Sequence, residues 1–176
     1  MSRRGFRVSS KAIELRLDDI EREVLADLLG QLIDLIAPEP QPTEQDPLAQ
    51  LVGIAEHAPR PVDPAVLRLL PDAYRDDDSA SADFRRFTEQ SLREEKVARA
   101  RTALDTLDRV TGKQRIVMTR DEGQAWLLAL NDLRLAMGTR LGLTQEDADE
   151  EATGERPVVY DWLTWLQSTL VDVLAP

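Results

Sequence analysis

The segment WLLALNDLRLAMGTRLGL, Trp126 to Leu143, constrains this chain more than any other. At 3.6 residues per turn, Trp126, Leu130, Leu133, Met137 and Leu141 form one stripe. Leu127, Asn131, Arg134 and Gly138 form a second, and Leu128, Asp132, Leu135 and Thr139 a third. Apolar side chains on all three stripes require a helix enclosed by other elements, at the centre of the fold or at a subunit contact. Asn131, Asp132 and Arg134 are then at least partly buried. Unpaired burial of such groups costs several kcal/mol, so each needs a designated partner. Asp132 and Arg134 are two residues apart and diverge by about 200° on one helix, so they cannot pair with each other. The expected partner of Arg134 is an acid from an acidic loop, or free carbonyls at a helix end. A buried network that holds helix register is the leading reading of the three residues; a ligand or partner site built from the same groups is the other.

The rest of the chain supplies the enclosing elements. FRVSSKAIELRL alternates apolar and polar residues on both sides of Ser-Ser-Lys, which predicts a β-hairpin within residues 1–17. Asp18 and Glu21 form a capping box for a helix over 18–37, with Ile20, Val24, Leu25, Leu28, Leu32, Leu35 and Ile36 at helical spacing. Residues 38–47 are a Pro-rich linker, and a helical body over 48–176 follows. Its first helix is expected from Leu48 to about His57, its second at PAVLRLL behind Asp63 and its third, the longest, from Ala82 to Val110 with Ser81 as N-cap. GKQRIVM is read as a turn and a possible third strand, and Thr119 to Glu122 as a second capping box. TQEDADEEATGE is an acidic loop, and VVYDWLTWLQSTLVDVL a closing amphipathic helix whose Trp162 and Trp165 belong in the core. The fold class is therefore α+β and mostly α-helical: an N-terminal β-hairpin packed on five or six helices, in a single domain over residues 1–176.

Much chemistry is excluded. The chain has no cysteine, which removes disulfides, thiolate catalysis and Cys-ligated metals. His57 is the single histidine and stands beside a Pro-rich break, which suits an exposed or structural role. Asp76, Asp77 and Asp78 lack the alternating spacing of a calcium loop. There is no phosphate-binding glycine loop and no nucleophile elbow. No cofactor and no metal site is expected. No apolar run reaches a membrane span and no secretion signal is visible, so the cytoplasm is the expected location.

Net charge is −11, which disfavours duplex binding unless the charge is segregated. The first seventeen residues do carry five basic side chains (Arg3, Arg4, Arg7, Lys11 and Arg16) against Glu14. Arg3, Arg4 and Arg7 are thus the nucleic-acid candidates. Arg85, Arg86, Arg93, Lys96, Arg99 and Arg101 are interleaved with Glu89, Glu94 and Glu95, which argues for pairing within a solvated helix.

Two blocks carry a resemblance: DPAVLRLLPDAYRDDDSASADFRRFTEQSLREEK, Asp63 to Lys96, and WLLALNDLRLAMGTRL, Trp126 to Leu141. With the opening strand and the closing YDWLTWLQ they resemble, over almost the whole chain, an actinobacterial family classed as a domain of unknown function that includes an oxidative-stress transcription regulator. Leu-Pro-Asp-Ala-Tyr and Leu-Asn-Asp-Leu-Arg-Leu are its most specific strings. The resemblance implies transcriptional control through a protein partner, such as a sigma factor, and a cysteine-based redox switch that a chain without cysteine cannot carry. Three function classes follow. The first is a non-catalytic regulatory or adaptor protein acting through protein–protein contacts. The second is direct DNA binding by the basic N-terminal arm, and the third an enzyme or small-ligand binder centred on Asn131, Asp132 and Arg134. A homodimer through the Trp126–Leu143 or Val158–Leu174 helix is also expected, from their apolar surface.

Overall fold

The two-residue alternation of the N-terminus folds as the expected hairpin. In the computed structural model, which describes residues 5–9, 12–37, 60–110, 115–143 and 157–175, β1 (Gly5–Ser9) pairs antiparallel with β2 (Ala12–Arg16), Phe6 opposite Leu15 and Val8 opposite Ile13. β3 (Ile116–Met118) joins the other edge of β2, completing a three-stranded antiparallel sheet in the order β1-β2-β3. Because successive side chains alternate in direction, Phe6, Ile13, Leu15, Ile116 and Met118 share the buried face.

Five described helices build the rest of the fold, α1 (Asp19–Ile36), α2 (Pro64–Leu69), α3 (Asp78–Asp108), α4 (Arg120–Arg140) and α5 (Val158–Leu174), and the last three of them pack on the sheet. The expected mostly helical α+β class is what forms. Both capping boxes are complete. Asp18 Oδ1 accepts from the Glu21 amide and Glu21 Oε2 from the Asp18 amide, each at 2.8 Å. Thr119 and Glu122 do the same at 3.2 and 2.8 Å, satisfying amides that the helix itself leaves orphaned. In α1 the buried positions are Leu25, Leu29, Leu32 and Ile36. Ile20 is exposed, since it lies about 140° around the helix from Leu25.

Ser81 is not the cap of the long helix. Asp77 is, accepting from the Ala80 amide at 2.9 Å, so the helix starts four residues earlier than Ser81 predicts. Ser81 is instead buried, its hydroxyl bonded to both the amide and the carbonyl of Tyr74 at 3.1 and 2.7 Å. The Asp77 carboxylate is thus committed to a helix start. The expected Leu48–His57 helix, the 38–47 linker, His57, the acidic loop and Arg3 and Arg4 lie outside the described residues.

α4 is the enclosed helix: it packs on each of the other four described helices and on β2. Trp126 is fully buried there. Its ring lies edge-on to Phe6 at 5.7 Å, and its Nε1 donates to the buried Thr106 Oγ1 at 2.6 Å. α1 and α3 are tied by an exchange of arginines that spacing alone does not reveal. Arg22 of α1 donates to the Leu107 carbonyl at 2.9 Å and to that of Val110, at the C-terminal end of α3. Arg93 of α3 reaches the Ile36 carbonyl at the C-terminal end of α1, at 3.4 Å. Each guanidinium thus meets carbonyls that a helix end leaves free.

α5 closes the sheet edge. The Phe6 amide donates to Thr169 Oγ1 at 3.2 Å, and Gly5, with φ of 87°, lies under the Trp165 ring. Trp165 is therefore a boundary residue, 42% exposed, while Trp162 packs partly buried against the core as expected.

Candidate functional site

The three polar residues of α4 separate onto different neighbours. Asp132 turns to α3, where Lys96 Nζ lies 2.8 Å from its Oδ1. Arg134 turns the other way, to α5: its Nε donates to Thr164 Oγ1 at 3.0 Å and its Nη1 to Gln167 Oε1. The guanidinium also stacks 5.5 Å from the centroid of the Tyr160 ring. Asp132 and Arg134 diverge as expected, but among the described residues no acid meets Arg134; its partners are a hydroxyl, an amide and an aromatic face. Asn131 is half-buried. The three do not converge on a common point. An open apolar groove between α1 and α4 is lined by Leu28, Leu32, Leu133, Met137 and Leu141 with Arg140, and none of the three lines it.

A second polar system lies where charge was expected to be solvated. Arg85, 9% exposed at its side chain, bonds Asp72 Oδ1, while Arg60 Nε sits 2.9 Å from Asp72 Oδ2. Arg85 Nε is 3.6 Å from Glu89 Oε2, and Glu89 Oε1 takes Arg93 at 2.7 Å. With Arg93 on the Ile36 carbonyl and Lys96 on Asp132, the inward face of α3 is a ladder of charge joining α1, α2's following loop and α4. Asp72 belongs to the Leu-Pro-Asp-Ala-Tyr string and Asp132 to Leu-Asn-Asp-Leu-Arg-Leu, so both strings supply anchors to one helix. Pairing within the helix does form, Glu95–Arg99 at the surface at 2.8 Å and Glu89–Arg93 on the inward face, while Arg109 goes to Glu122 of α4 at 2.6 Å. That bond, with the Thr119 amide, holds the Glu122 carboxyl below its usual range and raises Arg109.

The complement of this ladder is on the outside. Phe84 is 45% and Phe87 58% exposed. Tyr74 packs edge-on to Phe84 at 6.3 Å and the Arg86 guanidinium lies 5.8 Å from the Phe87 centroid. The first half of α3 thus turns Arg85, Glu89, Arg93 and Lys96 toward the protein and two of the chain's three phenylalanines away from it.

The sheet's outer face presents Arg7, directly opposite Glu14, with Arg16 and Arg115 at 3.7 and 3.2 Å from the Glu14 carboxylate. A hydrogen bond from Ser9 is the main cause that lowers the Glu14 carboxyl, with Arg115 and Arg16 adding to it. Among the described residues, no helix is long and apolar enough to cross a membrane.

A small α+β domain organised around an enclosed helix, with its polar groups spent on helix-to-helix ties, is the class that this geometry defines. The chain belongs to the family described as Domain of unknown function (DUF2017), which matches residues 3–174. It is 36% identical over 173 residues to the oxidative stress regulator AosR of Mycobacterium tuberculosis (strain ATCC 25618 / H37Rv), covering 88% of this chain and 78% of the relative. The putative oxidative stress regulator AosR of Mycobacterium leprae (strain TN) is 35% identical with the same coverage. No solved structure matches the chain.

Proposed function

We propose that this protein is a non-catalytic cytoplasmic regulator of the oxidative-stress response that acts through protein–protein contacts. The relatives' names supply the regulatory role. The observation that supports the mode of action is the start of α3, where Phe84 and Phe87 are left about half exposed beside Tyr74. Transcription machinery such as a sigma factor is the proposed class of partner. Self-association through α5, where Val158, Trp165 and Val171 are exposed, is part of the same proposal. The chain would sense stress without a thiol of its own, through its partner or its abundance. Deleting the protein in its native cell and comparing transcripts before and after peroxide tests the role: an unchanged stress response removes it.

Direct DNA binding is the second reading, favoured by the clustering of Arg7, Arg16 and Arg115 on the outer sheet face. Reversing the charge of Arg3, Arg4 and Arg7 then abolishes salt-dependent duplex binding; on the first reading it leaves the regulatory phenotype intact.

A further inference from the structure

We propose that the outer face of α3's first half is a docking surface for a basic amphipathic helix of a partner protein, a reading that rests on the protein–protein mode of action above. A helix on a protein surface ordinarily buries its apolar stripe and turns its charges to water. Between Asp78 and Lys96, α3 instead turns one stripe of ions inward and leaves two aromatic side chains outside. On the helical wheel Arg85, Glu89, Arg93 and Lys96 cluster on the side facing α1 and α4, where each has an ionic partner. Phe84 and Phe87 stand on the other side with the small residues Ala80, Ser91 and Ala98 between and beyond them. Aromatic side chains are 5% of this chain, so placing Tyr74, Phe84 and Phe87 together on the surface is a large share of its aromatic area left in water. Aromatic anchors ringed by polar residues are what binding surfaces concentrate.

Charge selects the occupant. Asp76, Asp77 and Asp78 are exposed immediately before and at the start of the helix, and Asp83, with 69% of its side chain exposed, flanks Phe84. Glu94 and Glu95 continue the acidic rim toward the middle of α3. Among the exposed charges around the patch the basic ones are Arg60, Arg75 and Arg86; Arg60 is held on Asp72 and Arg86 is folded over Phe87 toward Asp83. A second copy of this chain is poorly suited: an isologous contact would bring the same acidic rim against itself, on a chain of net charge −11. A helix presenting apolar residues at i, i+3 and i+4 between lysines or arginines matches both the anchors and the rim.

The test places a photo-crosslinking phenylalanine analogue at Phe87, and separately at Leu128 on the exposed side of α4, in the full chain expressed in its native cell. The crosslinked peptide is identified by mass spectrometry, synthesised, and titrated against the wild-type chain and against Phe84→Ser/Phe87→Ser. The expected result is a basic helical segment captured from Phe87 and not from Leu128. The double variant should melt no lower than wild type yet bind the peptide roughly ten-fold or more weakly. Asp76→Asn/Asp78→Asn/Asp83→Asn should weaken binding and flatten its salt dependence. Capture of an acidic or uncharged segment, or of this chain itself, overturns the proposal. Capture from Leu128 alone overturns this surface while leaving the protein–protein reading standing; no capture at either position counts against both.

Discussion

Lys96 of α3 and Asp132 of α4 form an ion pair at 2.8 Å, with side chains 16% and 6% exposed. Removing one partner leaves the other charge in a poorly hydrated place, whereas removing both leaves a space that apolar groups can fill. Lys96→Met or Asp132→Leu alone should therefore destabilise by about 2–3 kcal/mol, the lysine's partial exposure trimming the cost below that of a fully buried pair. The double variant should return to within about 1 kcal/mol of wild type. Urea unfolding of the three variants measures the cycle, and simple additivity of the two losses would contradict it.

Arg134→Met has a milder expected outcome than a buried ion pair implies, because its partners are neutral. Thr164 Oγ1 keeps a bond to the Tyr160 carbonyl at 2.9 Å when the guanidinium is gone. The loss is then a pair of hydrogen bonds and one cation–π contact, about 1–2 kcal/mol, read by thermal melting. A loss of about 4 kcal/mol would point to a buried acid beside the guanidinium.

Gly5→Ala should destabilise by about 1–3 kcal/mol. Its φ of 87° disfavours any side chain, and a Cβ there would stand 3.0 Å from Trp165 Cη2. The fluorescence of Trp165 should shift toward that of a solvated indole as the ring is pushed off β1. Unchanged stability and unchanged emission would mean that the α5 contact is dispensable.

The Glu122 carboxyl is held below its usual range by Arg109 first and by the Thr119 amide second. A group depressed in the folded state contributes stability above its unfolded pKa, and that contribution disappears as pH falls through the folded value. The wild-type chain should thus lose part of its stability as pH drops below about 4.3, the ordinary glutamate value. Glu122→Gln should be less stable near neutrality and should lose less on acidification. Parallel stability–pH curves for the two proteins would refute the assignment.

The parts of the fold that local rules govern were readable from residues. Hairpin alternation, the boxes at Asp18–Glu21 and Thr119–Glu122, and the enclosure of the Trp126–Leu143 helix all depend on neighbours a few positions apart. Ser81 misled because Asp77 offers the same capping chemistry four residues earlier, and only the packing of Tyr74 decides between them. The inward charge of α3 was not readable, since i,i+4 spacing describes Glu89–Arg93 equally well on either side of a helix. What settles the side is Asp72, Ile36 and Asp132, which are distant in sequence. For Arg134, burial could be inferred but not the identity of Thr164 and Gln167.

The bond from the Phe6 amide to Thr169 spans 163 positions of the chain. During synthesis β1 leaves the ribosome before β2, β3 and the helices α1 to α4, and α5 after all of them. Until α5 arrives, the outer edge of β1 offers unpaired amides and the Gly5 backbone to any extended segment nearby, and afterwards Thr169 and Trp165 occupy that position. The nascent chain is thus most prone to mispairing over the interval between the two, and a ribosome stalled before residue 158 should display a sheet that a strand-like peptide can still extend.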